Sequence, residues 1–423
     1  MGPVILFFYQ ILAFLAIVLV LPFLVLRGVF PIRGLSERFG KYGRVPPSAV
    51  RVWFHVASVG ELKAAASLIP LLKAKVADLY PVISVVTKTG KQKALSAGLK
   101  AAVYYAPLEI APAIIRAART IRPELLILAE TELWPLLIRL IRKSGAKVVI
   151  VNGRISSKSL KHYRFFRFLF RPVLQDLDLI MAQTETDRNR FIEIGASPER
   201  VETYGNIKFD QINSAPEEAI DEDLGRFLQR SGSFVFVAGS VRRGEIKILL
   251  SAIERSLATD RPVIAVIAPR HMKDLPAFEK ELASNSIVYT KRSELAKGRS
   301  DRSSVLLLDS MGELSRIYRY CHLAFVGGSL VSIGGHDPLE PASAGCALCF
   351  GPFMQNNQYA ASKLLELNAA REVAGAGDLS EMINYLADNR SQAALMGARA
   401  KDFVKMNAGV SEKTAHRLLR YLQ

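Results

Sequence analysis

The sequence predicts an α/β protein with two Rossmann-like domains facing a cleft, preceded by an N-terminal transmembrane helix. Three observations predict it. From residue 50 onward, short β-rich apolar runs alternate with helical stretches, which implies parallel sheets with helices on both faces. A polar, acidic stretch, Asn213–Gly225, interrupts that alternation once, after which it resumes. At 423 residues, half of them hydrophobic, the chain suffices for two separate cores.

The first element is Val4–Leu26, an uncharged run of 23 residues. As a helix it would extend roughly 35 Å, enough to cross a bilayer. No basic residue precedes it and no small-residue cleavage signal follows, which argues against a removed signal peptide. Arg27, Arg33, Arg38, Lys41, Arg44 and Arg51 follow against the single acid Glu37, so the bulk of the chain is expected on the cytoplasmic side of the membrane. Candidate strands of the first domain are Val50–Ala57, Val82–Thr87, Ala101–Tyr105, Leu125–Ala129, Lys147–Val151 and Leu179–Gln183. Helical stretches such as Leu62–Lys75, Ala111–Thr120 and Trp134–Ser144 separate them. Strands of the second domain are expected at Phe234–Ala238, Val263–Ala268, Val305–Leu308, Leu323–Val326 and Ala347–Phe350. The expected organisation is an anchor at 1–27, domains at 28–212 and 226–423, and a linker at 213–225, with the last helix free to pack back on the first domain.

A net charge of +17 points to an anionic partner: nucleic acid, an acidic membrane surface or a phosphorylated substrate. The segment Arg154–Pro172 interleaves Lys and Arg with Phe and Tyr and contains no acid. Beside an anchor, this favours a membrane surface over nucleic acid. Three cysteines do not make a secreted disulfide framework, and Cys346-Ala-Leu-Cys349 lies in an apolar run, so buried strand cysteines are expected.

Ligands of open α/β sheets bind beyond the C-terminal strand ends, so the strand-to-helix turns carry the motifs. "HVASVGE" (55–61) ends a strand and opens a helix; Ser58-x-x-Glu61 reads as a capping box, or Glu61 as a carboxylate available as a base. In "ETELWP" (130–135), Thr131 suits a helix cap, while Glu130 and Glu132 suit the dipole, sugar hydroxyls or a catalytic group. Lys208 in "GNIKFD" (205–210) follows a strand. Pro269 and Arg270 in "PRH" follow another, and arginine's planar fork matches phosphate. Ser310-x-x-Glu313 suggests a further box whose Met311-Gly312-Glu313 amides face an anion. "GGSLVSIGGHDPLEPASAG" (327–345) suggests either glycines cradling phosphate or plain punctuation: Asp337 as N-cap, Pro338 first in the helix, Glu340 closing a box. No P-loop or metal-ligand spacing occurs, so neither metal nor cofactor is expected.

Together with Glu37-Arg38-Phe39-Gly40 and "MGEL" (311–314), these motifs resemble, in order and up to residue 342, the Kdo transferases of lipopolysaccharide assembly. The resemblance implies a GT-B fold and inverting, metal-independent transfer of 3-deoxy-D-manno-oct-2-ulosonic acid (Kdo) from CMP-Kdo to a lipid A precursor, lipid IVA. It implies Glu61 as general base and Glu130 and Lys208 as groups stabilising the transition state. It further implies a CMP site made by Pro269, Arg270, Met311, Gly312, Glu313, Asp337, Pro338, Leu339 and Glu340. Two positions depart from the pattern: Asp337 stands where the family has Asn, and Val241-Arg242-Arg243 where it has Thr-His-Glu. The competing readings are a UDP-sugar transferase or epimerase of similar fold, and a non-catalytic, membrane-anchored binder of anionic lipid.

Overall fold

The computed structural model describes residues 3–27, 34–46, 50–213, 220–230, 232–297 and 303–422. The chain divides into two compact units, Met1–Gln211 with Gly409–Gln423, and Ile212–Ala408.

The first unit carries a parallel sheet of β1 (Val50–Val56), β2 (Leu79–Val85), β3 (Ala102–Tyr105), β4 (Leu125–Ala129), β5 (Lys147–Gly153), β6 (Leu179–Ala182) and β7 (Val201–Thr203). Their order is β3-β2-β1-β4-β5-β6-β7, so the winding direction switches between β1 and β4. Alternate residues feed the two faces: Phe54 and Ile127 one core, Trp53, Leu126 and Leu128 the other. Burial on both faces is why these strands read as continuous apolar runs.

The second unit repeats the plan with β8 (Phe234–Val241), β9 (Val263–Pro269), β10 (Tyr289–Lys291), β11 (Val305–Leu307), β12 (Leu323–Val326), β13 (Ala347–Phe350) and β14 (Ala370–Glu372). The order β10-β11-β9-β8-β12-β13-β14 places its switch between β8 and β12. Strands β7, β10 and β14 are three residues each and hold too few apolar positions to announce themselves in sequence. Cys321, Cys346 and Cys349 are free and buried.

Two boundaries follow from capping. Of the stretch Asn213–Gly225, residues 214–219 lie outside those described. Asn213 ends the helix Lys208–Asn213, and residues 220–225 lead into the helix Glu222–Leu228, where the Asp221 carboxylate accepts from Leu224 N at 2.9 Å and Leu224, Phe227 and Leu228 enter a core. The acids there serve a helix N-terminus. At the other end, Asp210 accepts from Gly409 N and Ser411 N at 2.5 Å each, tying down the helix Val410–Leu419. Val410, Ala415 and Leu418 are buried with Leu62 and Leu68, so residues 409–423 fold with the first unit.

The N-terminal run forms the helix Pro3–Leu26, although its side chains at 3–8, 16, 21, 22, 24 and 25 lie outside those described. Among the described residues no helix is long and apolar enough to cross a membrane, so the crossing expected over Val4–Leu26 is not supported. One turn of this helix is engaged with the domain: Tyr9 packs against the core that contains Ile114 and Leu136. Leu12, Leu19 and Leu26 are exposed.

Candidate active site

In the first unit, carboxylates gather where β1 and β4 end side by side. Ser58 caps the helix Val59–Lys73, its Oγ accepting from Glu61 N at 3.2 Å. Glu61 Oε2 accepts from Ala57 N at 2.6 Å, one residue before the cap. The expected box therefore forms with a displaced return bond, and it holds the Glu61 carboxylate, 7% exposed, over the end of β1.

Glu130 directly follows β4 in the left-handed region (φ +57°), its N–H bonded to Val151 O at 2.9 Å. A non-glycine residue rarely adopts this conformation, and the sharp turn brings its carboxyl into the field of Glu61. Burial first, then Glu61, push the Glu130 carboxyl above its ordinary value, against the pull of Arg154 and Lys208. Glu132 is pushed up to about 6, chiefly by burial; a hydrogen bond from Trp134 Nε1 at 2.7 Å opposes the shift, while Glu61 and Glu130 add to it.

Lys208 reaches this group although β7 is three places from β4 in the sheet. Amides along the strand ends carry its loop back. Asn206 Nδ2 donates to Gln183 Oε1 at 3.1 Å, Ile207 N to Asn152 Oδ1 at 3.1 Å, and Lys208 N to Asn206 Oδ1 at 3.0 Å. Glu61, Glu130 and Lys208 are thus brought together, with Glu132 and Arg154 added. In sequence Arg154 belongs to a basic-aromatic segment; its position next to the end of β5 is the signal that places it here.

Three neighbours are structural. The Thr131 hydroxyl donates to Arg154 O and does not cap a helix. The helix Pro135–Lys143 is instead capped by Glu109, whose Oε1 accepts from Leu136 N and Leu137 N at 2.6 and 3.4 Å. His55 is fully buried, its Nδ1 2.9 Å from Ser84 Oγ, which accepts from Trp53 Nε1 at 2.8 Å; burial drops the imidazole to about 3.

In the second unit the glycine-rich turn follows β12. A Cβ at Gly327 would overlap the Ser240 carbonyl, so the close approach of the chain to the end of β8 at this point requires glycine. The amides that follow do not face an open phosphate cradle. Glu245, fully buried, accepts from Gly328 N (2.7 Å), Ser329 N (3.0 Å), Leu330 N (2.9 Å) and Arg242 N (2.9 Å). The anion that this nest attracts is supplied by the chain itself.

The helix beyond starts one residue later than expected, as Leu339–Ala344 with Pro338 at the cap position. Asp337 Oδ1 still accepts from Leu339 N at 3.1 Å, but no capping box closes, and Glu340 is exposed. The box expected at Ser310–Glu313 also fails, because the helix begins at Leu314. The Ser310 hydroxyl donates to Glu313 Oε2, and Arg292 Nε and Nη2 grip Oε1 at 3.0 and 2.9 Å. Met311 is left exposed, beside Gly312. Pro269 ends β9, and Arg270 N donates to Val241 O at 2.9 Å, leaving an exposed Arg270 side chain at the strand end. Close by, Arg242 Nη1 lies 2.7 Å from His271 Nε2 and its Nε 3.2 Å from His336 Nε2. Among the described residues no group of three or more His, Cys, Asp or Glu is placed to hold a metal ion.

Residues 33–211 match the family model for 3-deoxy-D-manno-octulosonic-acid transferase. A 3-deoxy-D-manno-octulosonic acid transferase of Haemophilus influenzae is 30% identical over 425 residues, 99% of each chain. A bifunctional glycosyltransferase/methyltransferase of Fusobacterium nucleatum is 33% identical over 344 residues, 80% of this chain and 53% of that one, so the match spans about half of that relative. A solved UDP-GlcNAc 2-epimerase from Neisseria meningitidis bound to UDP-GlcNAc shares the fold, with TM-score 0.60 and 13% identity over 88% of this chain and 100% of that one. The near end-to-end match to the Haemophilus protein, together with the carboxylates set at the switch point, makes this chain a member of the Kdo transferase family of glycosyltransferases.

Proposed function

We propose that this chain transfers Kdo from CMP-Kdo to a lipid A precursor, lipid IVA, with inversion and without a metal ion. Glu61 is the general base that takes the proton of the acceptor hydroxyl. The observation that supports the reading is that Glu61 and Glu130 follow β1 and β4, at the switch point of the first sheet, and that Glu130 lies within electrostatic reach of Glu61, Arg154 and Lys208. Departure of CMP leaves an oxocarbenium-like sugar, so a carboxylate can accept the proton late, as the hydroxyl oxygen attacks the anomeric carbon. Lys208 and Arg154 offset negative charge in this group, and the amide links through Asn152, Gln183 and Asn206 position Lys208. Pro269 and Arg270, Met311 to Glu313 and Asp337 to Glu340 serve CMP. Glu313 presents its backbone, since Arg292 and Ser310 hold its carboxylate.

The chain works at a membrane surface on the cytoplasmic side. The exposed leucines of the N-terminal helix support this, as do Phe165 (77% exposed) and Phe168 (60%), set among exposed Lys161, Arg164 and Arg167.

The test is incubation of the full chain with freshly made CMP-Kdo and a tetraacylated lipid A precursor, read by mass spectrometry of the lipid. The expected product carries added Kdo. Glu61→Gln should lower the rate by about 10²–10⁴-fold while CMP affinity and folding persist. A glutamine oxygen can still accept from Ala57 N, so survival of activity in this variant would reduce Glu61 to a cap.

A further inference from the structure

We propose that Arg242, held between His271 and His336, binds the second anion of the donor, the carboxylate of the transferred acid sugar. This rests on the CMP-Kdo reading. An inward guanidinium is usually held by a carboxylate, which cancels its charge. Arg242 is held differently. Arginine has no acceptor, so its Nη1–H must donate to His271 Nε2 (2.7 Å) and its Nε–H to His336 Nε2 (3.2 Å). Both rings therefore accept through Nε2 and are neutral, with their protons on Nδ1. Burial, with Arg270 and Arg242 nearby, pushes the His336 imidazole down to about 4, so it stays an acceptor at neutral pH. The guanidinium is thereby positioned without being neutralised.

The carboxylate on the same turn offers no competition, because four backbone N–H groups engage Glu245. Two of the five guanidinium N–H donors of Arg242 are used, and three remain for a planar, bidentate acceptor. Arg270 adjoins His271 in the chain and acts on the same His336 ring. A site with two guanidinium groups suits a ligand with two anionic groups. The donor has two, a phosphodiester and a sugar carboxylate; CMP lacks the carboxylate. With Arg270 on the phosphate, Arg242 takes the acid.

The full chain should be titrated calorimetrically with CMP and assayed with CMP-Kdo at saturating acceptor. Arg242→Gln should raise KM for CMP-Kdo by roughly 10–100-fold, the loss of a charge-assisted contact. The dissociation constant of CMP should stay within about twofold. Arg242→Lys keeps the charge without the fork and should fall between the two. Parallel loss of CMP affinity would assign Arg242 to the phosphate and overturn the proposal, as would unchanged KM in both variants. A wild-type chain that binds no CMP would remove the donor reading and this proposal with it; failure of the Arg242 variants alone would remove only this one.

Discussion

Replacing Glu245 with Gln should loosen the second unit by several kcal/mol without touching any residue assigned to the nucleotide. Oε1 accepts from Ser329 N and Leu330 N, and Oε2 from Gly328 N and Arg242 N. A glutamine can keep one pair of these bonds. Its NH2 group must face the other pair, leaving two backbone donors without an acceptor at a site with no solvent exposure. At about 1–3 kcal/mol per stranded donor, the loss comes to about 2–6 kcal/mol. Urea unfolding of the full chain reads this, with near-UV dichroism separating the second unit from the first through their different aromatic cores. The turn 327–336 also carries the path to Asp337, so CMP affinity should weaken in step. A stability loss below about 1 kcal/mol with CMP affinity intact would refute the nest as the device that shapes this turn.

Two further outcomes are expected. Glu109 is half-buried, with its carboxyl sunk below the surface and pushed up to about 7 by desolvation, against bonds from Leu136 N and Leu137 N. A raised carboxyl keeps its proton in the native state, so charging it costs stability as pH rises from the unfolded value toward 7. Glu109→Gln should match wild type near pH 4 and exceed its stability by about 3 kcal/mol at pH 8, seen in denaturant titrations at the two pH values; a pH-independent difference would contradict this. Phe165→Ser and Phe168→Ser should each weaken binding to anionic vesicles about tenfold in sedimentation assays, leaving CMP affinity unchanged.

Much of the fold was legible because it is written in local pattern. Strands such as β4, with Leu125–Ala129 buried on both faces, have to be apolar throughout, and the turns after them carry the polar motifs. The candidate catalytic motifs lay at such turns. Short strands with few apolar positions, such as β7, carry no such pattern, and capping boxes misled where a helix began one to three residues late, as at Leu314 and Leu339. A spacing rule reports that two groups can bond, and it cannot say whether another partner competes. At Ser310–Glu313 the competitor was Arg292; at Thr131 it was the Arg154 carbonyl.

By itself the sequence determined two wound α/β domains, the strand ends where polar motifs collect, and a glycine-rich turn built for close approach and anion contact. Tertiary structure alone decided which anion that turn holds. Glu245 is 83 residues from Gly328, and no local pattern links them. It likewise decided that Lys208 shares a field with Glu130, and that Asp210 draws the last helix onto the first unit. The physical reason is common to all three. A charge withdrawn wholly or partly from water must find its partner wherever the sheet order brings one, and sheet order is a property of the whole chain.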